Sequence, residues 1–412
     1  MVAHSICRPD SINGNLNKKV VCNTWDLEII DNPSFRNTGA SPMSQHTSLT
    51  AIERNSYDIK WNLADAHARQ RLSSVETERI YDQLGSIFSD AEVANYHDLE
   101  TQALYAYLDS IKQQTRPTHF FSIYSSSVSM MIVARLIREH RRSVQLVVPT
   151  FDNIPDLLKA ENIQIVPRTE DTPIYSNEKH PPGVIFEVSP NNPTGNVIGP
   201  EQLSEVAKHC AENDIWLVLD QTFKGQVEDA CYDHYAILDS AGVNYIVIED
   251  TGKLWPTLDL KLSFIVASPY LAGLLEPIVD DVLLNVSPFI LSLVKAYSQL
   301  SLETDYHFVR SLIRDNRDFL RESLLRSSAP IHVQFPASMV SVEMLSLGNS
   351  LTQEEASEFL ASHQIQVLNA RSFYWDGSSP GNQLRISLAR DRDYFRASCT
   401  AMVDLLTEMA GA

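Results

Sequence analysis

The sequence predicts an α/β fold with a mostly parallel sheet, followed by a smaller α+β region, and three observations lead to this prediction. Short apolar segments alternate with helical stretches between residues 118 and 268. Those segments are apolar on both faces, which is typical of strands buried between two layers of helices. After residue 330, strands and helices are mixed in a different order. With 412 residues, 44% of them hydrophobic, the chain can bury a sizeable core.

The chain begins with polar residues that have no sustained hydrophobic period. Residues 1–48 are rich in Asn and Ser, and they predict a loosely ordered extension. Residues 49–75 form a short amphipathic segment. Residues 75–93 and 97–114 carry Ile, Leu, Tyr and Ala at the spacing that favours helices. We therefore expect an N-terminal segment followed by the helices that open the main domain.

Six strands are predicted in the region that follows, and helix-like stretches such as VSMMIVARLIREH separate several of them. The predicted strands are residues 119–124, 144–149, 184–189, 215–220, 245–250 and 262–268. Their near-continuous apolar character indicates a sheet covered on both sides.

The last part of the chain has a different organisation. Residues 269–326 are predicted to be helical and to lead out of the first domain. The tracts HVQF, SVEML and QLRISLA then predict strands, and residues 352–362 and 391–409 predict helices. We therefore expect a large domain at residues 76–326 and a small C-terminal domain at residues 327–412.

The charge of the chain excludes several classes of partner. It has 33 Lys and Arg against 52 Asp and Glu, a formal net charge of −19. Such a chain is a poor general binder of nucleic acid and of anionic membranes, whereas it attracts cationic small molecules. No apolar run reaches the about 18 residues of a membrane span. Five scattered cysteines and the lack of an N-terminal apolar region predict a cytoplasmic protein with reduced thiols.

Polar residues follow the predicted strands at their carboxyl ends, where open α/β sheets bind ligands. These residues are 125–127, 149–151, 189–192, 220 and 250–253. Because parallel strands end at the same edge of a sheet, we expect the five groups to lie close together.

Four features of the sequence are each weak evidence for a site, but they are specific in combination. They are an Asn-Pro-Thr-Gly turn at residues 192–195, Asp220 after an apolar strand, Lys253 after the next strand, and Arg385 within a C-terminal strand. Each has an ordinary explanation as a turn, a helix cap, a solvated lysine or a paired cation. Their order and spacing resemble the fold-type I pyridoxal 5′-phosphate (PLP) enzymes of the class I and II aminotransferases. The resemblance covers about residues 75–412 and implies an aspartate aminotransferase-like fold.

This resemblance implies roles for the residues that match the family pattern. Lys253 is expected to form the covalent link to PLP, and Asp220 to face the pyridine nitrogen. Asn192 is expected to donate to the cofactor 3′-oxygen. Arg385 is expected to bind the substrate carboxylate with its planar guanidinium.

The cofactor phosphate and ring have further expected partners. Ser126, Ser127 and Val128 match the helix start that binds the phosphate in the family. Lys261 takes the place of the family's usual arginine there, and Phe151 matches the aromatic residue that stacks on the pyridine. Phe223 stands where ordinary aminotransferases usually carry a tyrosine that bonds the 3′-oxygen. This departure is either ordinary variation within the family or the sign of a cofactor ring with different reactivity, and both alternatives stay open.

Longer tracts resemble a narrower family. Residues 124–130, 149–154, 232–236 and 247–261 look like those of the O2- and PLP-dependent L-arginine oxidases. That family includes an arginine hydroxylase of enduracididine biosynthesis and an arginine desaturase of indolmycin biosynthesis. The resemblance runs from about residue 49 to the end. It implies that a PLP–arginine quinonoid reacts with O2, giving H2O2 and 2-oxo acids that are 4-hydroxylated or unsaturated. It also implies a homodimer.

The same resemblance implies that the N-terminal segment is a lid over the cofactor. Thr50, Glu53 and His67 are carried over to that lid, and Glu53 and Asp250 are the expected partners of the substrate guanidinium. His67 matches a histidine that is tied to hydroxylation and lies over the cofactor. A lone histidine is otherwise a surface or packing residue, and that alternative stays open.

Other functions remain as alternatives. A conventional aminotransferase would pass the amino group of a basic amino acid to a 2-oxo acid. A PLP-fold transcription regulator would need a DNA-binding domain, and residues 1–75 have neither the charge nor the pattern for one. No metal-ligand spacing such as HExxH and no P-loop is present. The sequence leaves hydroxylation and desaturation equally open.

Overall fold

The computed structural model describes residues 48–140, 142–174, 182–257, 260–349 and 351–411. All of these residues belong to one compact unit. The predicted loose extension at residues 1–48 lies outside the described residues, apart from Ser48. Among the described residues, no helix is both long enough and apolar enough to cross a bilayer.

The described residues form twelve α-helices. They are α1 (Leu49–Asn55), α2 (Ser74–Val93), α3 (Tyr96–Ser110), α4 (Ser126–Glu139), α5 (Asn153–Ala160), α6 (Pro200–Glu212), α7 (His234–Ala241), α8 (Pro269–Val282), α9 (Pro288–Thr304), α10 (His307–Arg326), α11 (Gln353–Ser362) and α12 (Arg392–Gly411).

They also form thirteen strands. These are β1 (Trp61–Asn62), β2 (Phe120–Ile123), β3 (Val144–Val148), β4 (Ile165–Thr169), β5 (Val184–Val188), β6 (Trp216–Asp220), β7 (Tyr245–Asp250), β8 (Ser263–Ala267), β9 (His332–Val333), β10 (Val342–Ser346), β11 (Ile365–Gln366), β12 (Leu368–Asn369) and β13 (Gln383–Ser387).

A seven-stranded sheet forms the centre of the molecule, with the strand order β2-β8-β7-β6-β5-β3-β4. All neighbouring strands run parallel except β8, which is antiparallel to both β2 and β7. Asp220 closes the central strand β6, where it pairs with Val188 on one side and Ile248 on the other. The sheet therefore brings the ends of β5, β6 and β7 together at one edge.

Helices cover both faces of this sheet, as continuous apolar strands require. Leu217 and Leu219 of β6 pack into a core with residues of α3, α6, α7 and α9. Trp216 and Val218, which alternate with them, pack into a second core with residues of α4, α5 and α8. The predicted α/β fold with a mostly parallel sheet is confirmed.

The six predicted strands correspond to β2, β3, β5, β6, β7 and β8, and the sequence reading missed β4. β4 lies at the edge of the sheet and contains Pro167, which is tolerated at an edge because no ladder hydrogen bond is needed on the outer side. It also contains Arg168, whose buried guanidinium donates from Nη2 to both carboxylate oxygens of Glu187 of β5. Pro167 and Arg168 interrupt the run of apolar residues from which a strand would be predicted.

A second sheet follows α10 and has the antiparallel order β12-β13-β10-β9. β1, which belongs to the N-terminal segment, pairs in parallel with β11. The N-terminal segment is therefore attached to the C-terminal part of the chain. The division into domains at residues 76–326 and 327–412 and the lid at residues 49–75 stay predictions.

Candidate active site

A cavity of about 370 Å³ lies at the carboxyl ends of β5, β6 and β7, the edge of the sheet where the sequence predicts a ligand site. Eleven of the thirteen predicted site residues line it. They are Thr50, Glu53, His67, Ser126, Ser127, Phe151, Asn192, Asp220, Asp250, Lys253 and Lys261. The two exceptions are Val128 and Arg385. The structure thus brings together residues that are spread over about half of the sequence.

Lys253 follows β7 in a turn and presents its amine to the cavity. No described residue accepts a hydrogen bond from its Nζ atom. Burial lowers the pKa of Lys253, and the nearby carboxylates of Glu53, Asp65 and Asp250 only partly oppose this shift. A lysine with a lowered pKa is more often neutral and therefore more nucleophilic towards an aldehyde.

Asp220 is buried at the end of β6, and burial raises its pKa to about 6. Its Oδ1 atom accepts hydrogen bonds from the backbone N–H of Thr222 at 2.9 Å and from Oγ1 of Thr222 at 2.5 Å. No hydrogen bond from a described residue reaches Oδ2. The carboxylate is thus fixed in orientation by Thr222 and keeps one oxygen for a partner in the cavity.

Asn192 and Phe151 lie on two loops that Asn191 ties together. Asn191 Nδ2 donates to the carbonyl of Pro149 at 2.9 Å, and its Oδ1 accepts from Oγ1 of Thr150 at 3.1 Å. The Oδ1 atom of Asn192 is buried without a hydrogen-bond partner among the described residues. A buried amide of this kind suits a polar ligand in the cavity.

The start of α4 forms another wall. Ser125 caps the helix by accepting from the N–H of Val128, at 3.4 Å to its Oγ atom. Oγ of Ser126 donates to Asp250 at 2.6 Å, and Oγ of Ser127 accepts from Nδ2 of Asn153 at 3.3 Å. Val128 lies outside the cavity lining, and its expected role towards a phosphate stays a prediction.

The short helix α1 forms part of the cavity wall and contributes Thr50 and Glu53. Its first residue is tied to α5 because the N–H of Leu49 donates to Oδ2 of Asp152 at 2.7 Å. Leu49 also belongs to an apolar cluster that contains Phe373, with Phe151 packed against it. The predicted stacking residue Phe151 thus also helps to hold the N-terminal segment in place.

His67 lines the cavity between two charged partners. Its Nδ1 lies 2.5 Å from Oδ1 of Asp65, and its Nε2 lies 3.1 Å from Nζ of Lys261. The positive charge of Lys253 and burial lower the pKa of His67, while Asp65 opposes them. The imidazole is therefore neutral near pH 7, with its proton on Nδ1 and its Nε2 lone pair towards Lys261.

Asp65 is a residue that the sequence reading missed. Its carboxylate is fully buried and also accepts from Nε of Arg69 at 2.6 Å. Although burial opposes it, the hydrogen bond from His67 and the charges of His67, Lys253 and Arg390 hold the pKa of Asp65 well below its usual range. The signal was its position two residues before His67, a residue that the resemblance to the arginine oxidases had already singled out.

Arg385 lies at the centre of β13, is fully buried and does not line the cavity. Its Nη2 donates to Oε1 of Glu53 at 2.7 Å, and its Nη1 donates to the carbonyl of Ala64. The residue expected to bind the substrate carboxylate is therefore paired with one of the residues expected to bind the substrate guanidinium.

Several further residues around the cavity were not predicted. Arg54, Tyr57, Met130 and Thr222 line it. Arg390, which is buried, donates to the carbonyls of Asn62, Asp65 and His67 and so fixes the backbone that carries His67. Phe223, noted from the sequence as the departure from tyrosine, is buried in the cavity wall.

The residues present fit PLP. The cavity offers a lysine amine of lowered pKa, a buried carboxylate with one available oxygen, a buried amide and an aromatic ring. Hydroxyl groups of Ser126 and Ser127 lie at the start of a 14-residue helix, where a phosphate is favoured, and Lys261 lines the same cavity.

Comparison with known proteins agrees with this geometry. The model of the family "Aminotransferase class I and II" matches residues 103–401. The chain belongs to this family. The predicted family and the predicted PLP cofactor are confirmed.

The solved structures include one of MppP, soaked with the product 2-ketoarginine. It is 36% identical to this chain, covers 84% of this chain and 99% of MppP, and has a TM-score of 0.78. LysN, the α-aminoadipate aminotransferase of Thermus thermophilus, is 15% identical with a TM-score of 0.72, over 89% of this chain and 96% of LysN. The likeness to LysN supports the fold alone.

Curated relatives match over shorter stretches. Valine–pyruvate aminotransferase of Mycobacterium tuberculosis is 27% identical over 43% of this chain and 47% of its own length. The putative aminotransferase YugH of Bacillus subtilis is 23% identical over 53% of this chain and 55% of its own length. The chain thus spans about half the length of these relatives.

Proposed function

We propose that this protein is a PLP-dependent oxidase that acts on L-arginine and uses O2 as the electron acceptor. The observation that carries the proposal is that the carboxylate residues Glu53 and Asp250 line the same cavity as Lys253. A guanidinium is costly to bury without anionic partners, so this composition suits a basic amino acid. The 36% identity to MppP, whose structure was soaked with its product 2-ketoarginine, supports the same substrate.

PLP, when bound, supplies the sink for the electron pair that remains after the α-proton leaves. Lys253 is the residue that would hold the cofactor covalently and carry the α-proton. Asp220 would hold a proton on the ring nitrogen, since a cation beside this carboxylate favours its ionised form. Asn192, Ser126, Ser127 and Lys261 would hold the 3′-oxygen and the phosphate.

In the proposed reaction the α-carbon of arginine loses its hydrogen and its amino group, and water supplies the carbonyl oxygen of the 2-oxo acid. The two electrons released reduce O2 to H2O2, and the nitrogen leaves as ammonia. Oxidation of the side chain by a second O2, with water as the source of the hydroxyl group, would give the 4-hydroxylated product. Loss of two hydrogens without that water would give the unsaturated product.

His67 is the candidate for directing this second stage. Its neutral imidazole lies in the cavity with Asp65 holding the Nδ1 proton. A histidine in this state can position a water molecule or exchange a proton at Nε2. The lid that carries it would exclude bulk water from the reacting carbon.

A conventional aminotransferase acting on a basic amino acid is the second candidate. The family of the chain and the names of its curated relatives favour it. Phe223 argues for the oxidase, because a family member without the phenol at the 3′-oxygen is expected to have a ring of altered reactivity.

One experiment separates the two candidates. The holoenzyme is mixed with L-arginine in an oxygen electrode, without any 2-oxo acid, and the products are identified by mass spectrometry. The oxidase consumes O2 and gives H2O2 with 2-oxoarginine derivatives. Turnover that strictly requires a 2-oxo acid and consumes no O2 supports the aminotransferase instead.

We further propose a homodimer, as the family resemblance implies, in the cytoplasm, as the scattered cysteines imply. Light scattering coupled to size-exclusion chromatography measures the mass directly, and a mass close to 46.3 kDa would contradict the dimer.

A further inference from the structure

We propose that Glu53 and Arg385 form a charge lock, a buried ion pair that opens readily only for a ligand carrying both a carboxylate and a cationic side chain. The inference rests on the proposed function, because it concerns which amino acids the site accepts. It assigns Glu53 a role in rejecting neutral amino acids in addition to any contact with arginine.

The lock follows from where the two side chains lie. Arg385 is fully buried and its Nη2 donates to Oε1 of Glu53 at 2.7 Å. Glu53 lines the cavity, whereas Arg385 does not. Because Glu53 occupies Nη2, a ligand carboxylate pairs with that nitrogen of Arg385 only if Glu53 gives way.

Displacing Glu53 has a cost that depends on the ligand. Glu53 is only 7% exposed, so its carboxylate would lose a cation while remaining largely out of water. A buried charge without a partner is strongly destabilising. A ligand with a carboxylate alone exchanges one ion pair for another and leaves Glu53 unpaired. A ligand with a guanidinium as well replaces one ion pair by two.

Glu53, and not Asp250, is the carboxylate suited to this exchange. Asp250 is held by hydrogen bonds from Oγ of Ser126 and from the N–H of Gly252, both at 2.6 Å. Glu53 instead lies on a helix of seven residues. Asp250 thus provides a fixed anion, while Glu53 provides one that can change partners.

Binding of two carboxylates that cannot react tests the lock. Pentanoate carries only the carboxylate, and 5-guanidinopentanoate carries both charges; both lack the α-amino group that reacts with the cofactor. Their dissociation constants are measured by calorimetry with wild-type holoenzyme and Glu53→Gln. Glu53→Gln is expected to bind pentanoate more tightly than wild type, by a factor of about ten or more, because Arg385 is released. The same variant is expected to bind 5-guanidinopentanoate about tenfold more weakly than wild type.

The control is Asp58→Asn, which removes a carboxylate just beyond α1. Asp58 is exposed and does not line the cavity. This variant is expected to bind both ligands as wild type does. Equal pentanoate affinity in wild type and Glu53→Gln overturns the lock and leaves Glu53 as a simple contact for the guanidinium.

Wild-type protein provides a second test that does not depend on the folding of a variant. Ethylguanidinium should pair with Glu53 and so tighten pentanoate binding, whereas the lock is contradicted if the two fragments bind independently. Oxygen uptake with arginine is measured separately. Absence of that uptake removes the proposed oxidase without changing the fragment result, so the two failures are distinguishable.

Discussion

The buried carboxylate of Asp65 accepts a hydrogen bond from Nδ1 of His67 at 2.5 Å. This contact fixes which ring nitrogen carries the proton and turns Nε2 towards Lys261, 3.1 Å away. Asp65 is itself held by Nε of Arg69. The position of the histidine over the cavity is therefore determined by a group that lines none of it.

Asp65→Asn should loosen His67 without removing it. A hydrogen bond to a charged group contributes about 1.5–3 kcal/mol, so we expect the free energy of unfolding to fall by a similar amount in urea titrations. The pKa of His67 should fall further, because Asp65 is the group that raises it. We expect products shifted towards plain 2-oxoarginine by mass spectrometry. If Asp65→Asn has the same stability and the same product ratio as wild type, this contact is dispensable.

His67→Ala should retain oxidation of arginine but lose most of the hydroxylated or unsaturated product. The reason is that Lys253 and Asp220, which are proposed to support the first oxidation, remain in place. Mass spectrometry of the products, together with oxygen uptake, measures both stages. His307→Ala, at an exposed histidine outside the cavity lining, is the matched control. An unchanged product mixture in His67→Ala would make His67 a bystander.

Lys253 and Lys261 both line the cavity, but replacing each of them by alanine is expected to have a different effect on the cofactor. Lys253→Ala should abolish the visible absorbance of the lysine-bound cofactor, because the covalent link is gone. Lys261→Ala should keep that absorbance and weaken cofactor binding by about tenfold, the effect of losing one cation at a phosphate. Absorbance spectra and cofactor titration of the two variants measure this. If Lys253→Ala keeps the band, the lysine has been wrongly assigned.

Phe223→Tyr restores the phenol that ordinary family members usually carry. Phe223 is buried in the cavity wall, so a new hydroxyl group there will seek a partner in the cavity. We expect the ratio of oxidation to amino transfer to fall by about tenfold, the effect of one hydrogen bond of about 1.4 kcal/mol. The assay compares oxygen uptake with amino transfer to a 2-oxo acid. Phe223→Met, which adds no hydroxyl, is the control, and equal ratios in both variants would exclude an effect of the phenol.

The sequence predicted the large sheet well because its strands are buried on both faces. β6 and β7 are uniformly apolar up to the acidic residues that end them, and such a pattern has few alternatives. The residues of the cavity followed from the same rule, since strand ends meet at one edge. β4 was missed because Pro167 and Arg168 interrupt its apolar pattern. β1, β11 and β12 were missed because each is only two residues long, which is too short to show a hydrophobic period.

What the sequence could not predict is which charged groups pair with each other. Glu53 and Arg385 are 332 positions apart, and no periodicity connects them. Arg390 fixes the backbone at Asn62, Asp65 and His67 through carbonyl groups, which are the same in every residue. Contacts of this kind depend on tertiary structure and leave no local signal.

His234 lies in the tract of residues 232–236 that resembles the arginine oxidases, yet it does not line the cavity and is fully buried. Its Nδ1 accepts a hydrogen bond from Nζ of Lys224, and burial together with the charge of Lys224 holds its pKa well below the ordinary value of 6.5. Below pH 6.5 the unfolded chain therefore takes up a proton that the folded protein does not bind. Unfolding then becomes easier as the pH falls, by up to about 1.4 kcal/mol for each pH unit.

His234→Gln should remove this dependence while keeping an acceptor for Lys224. Urea titrations at several pH values should give a free energy of unfolding that declines less steeply for the variant than for wild type between pH 6.5 and 5. The difference should approach one proton, or about 1.4 kcal/mol per pH unit. Between pH 7 and 7.5 the two curves should run parallel, because the histidine is neutral in both states there. Parallel curves over the whole range would mean that the pKa of His234 is the same in the folded and the unfolded protein.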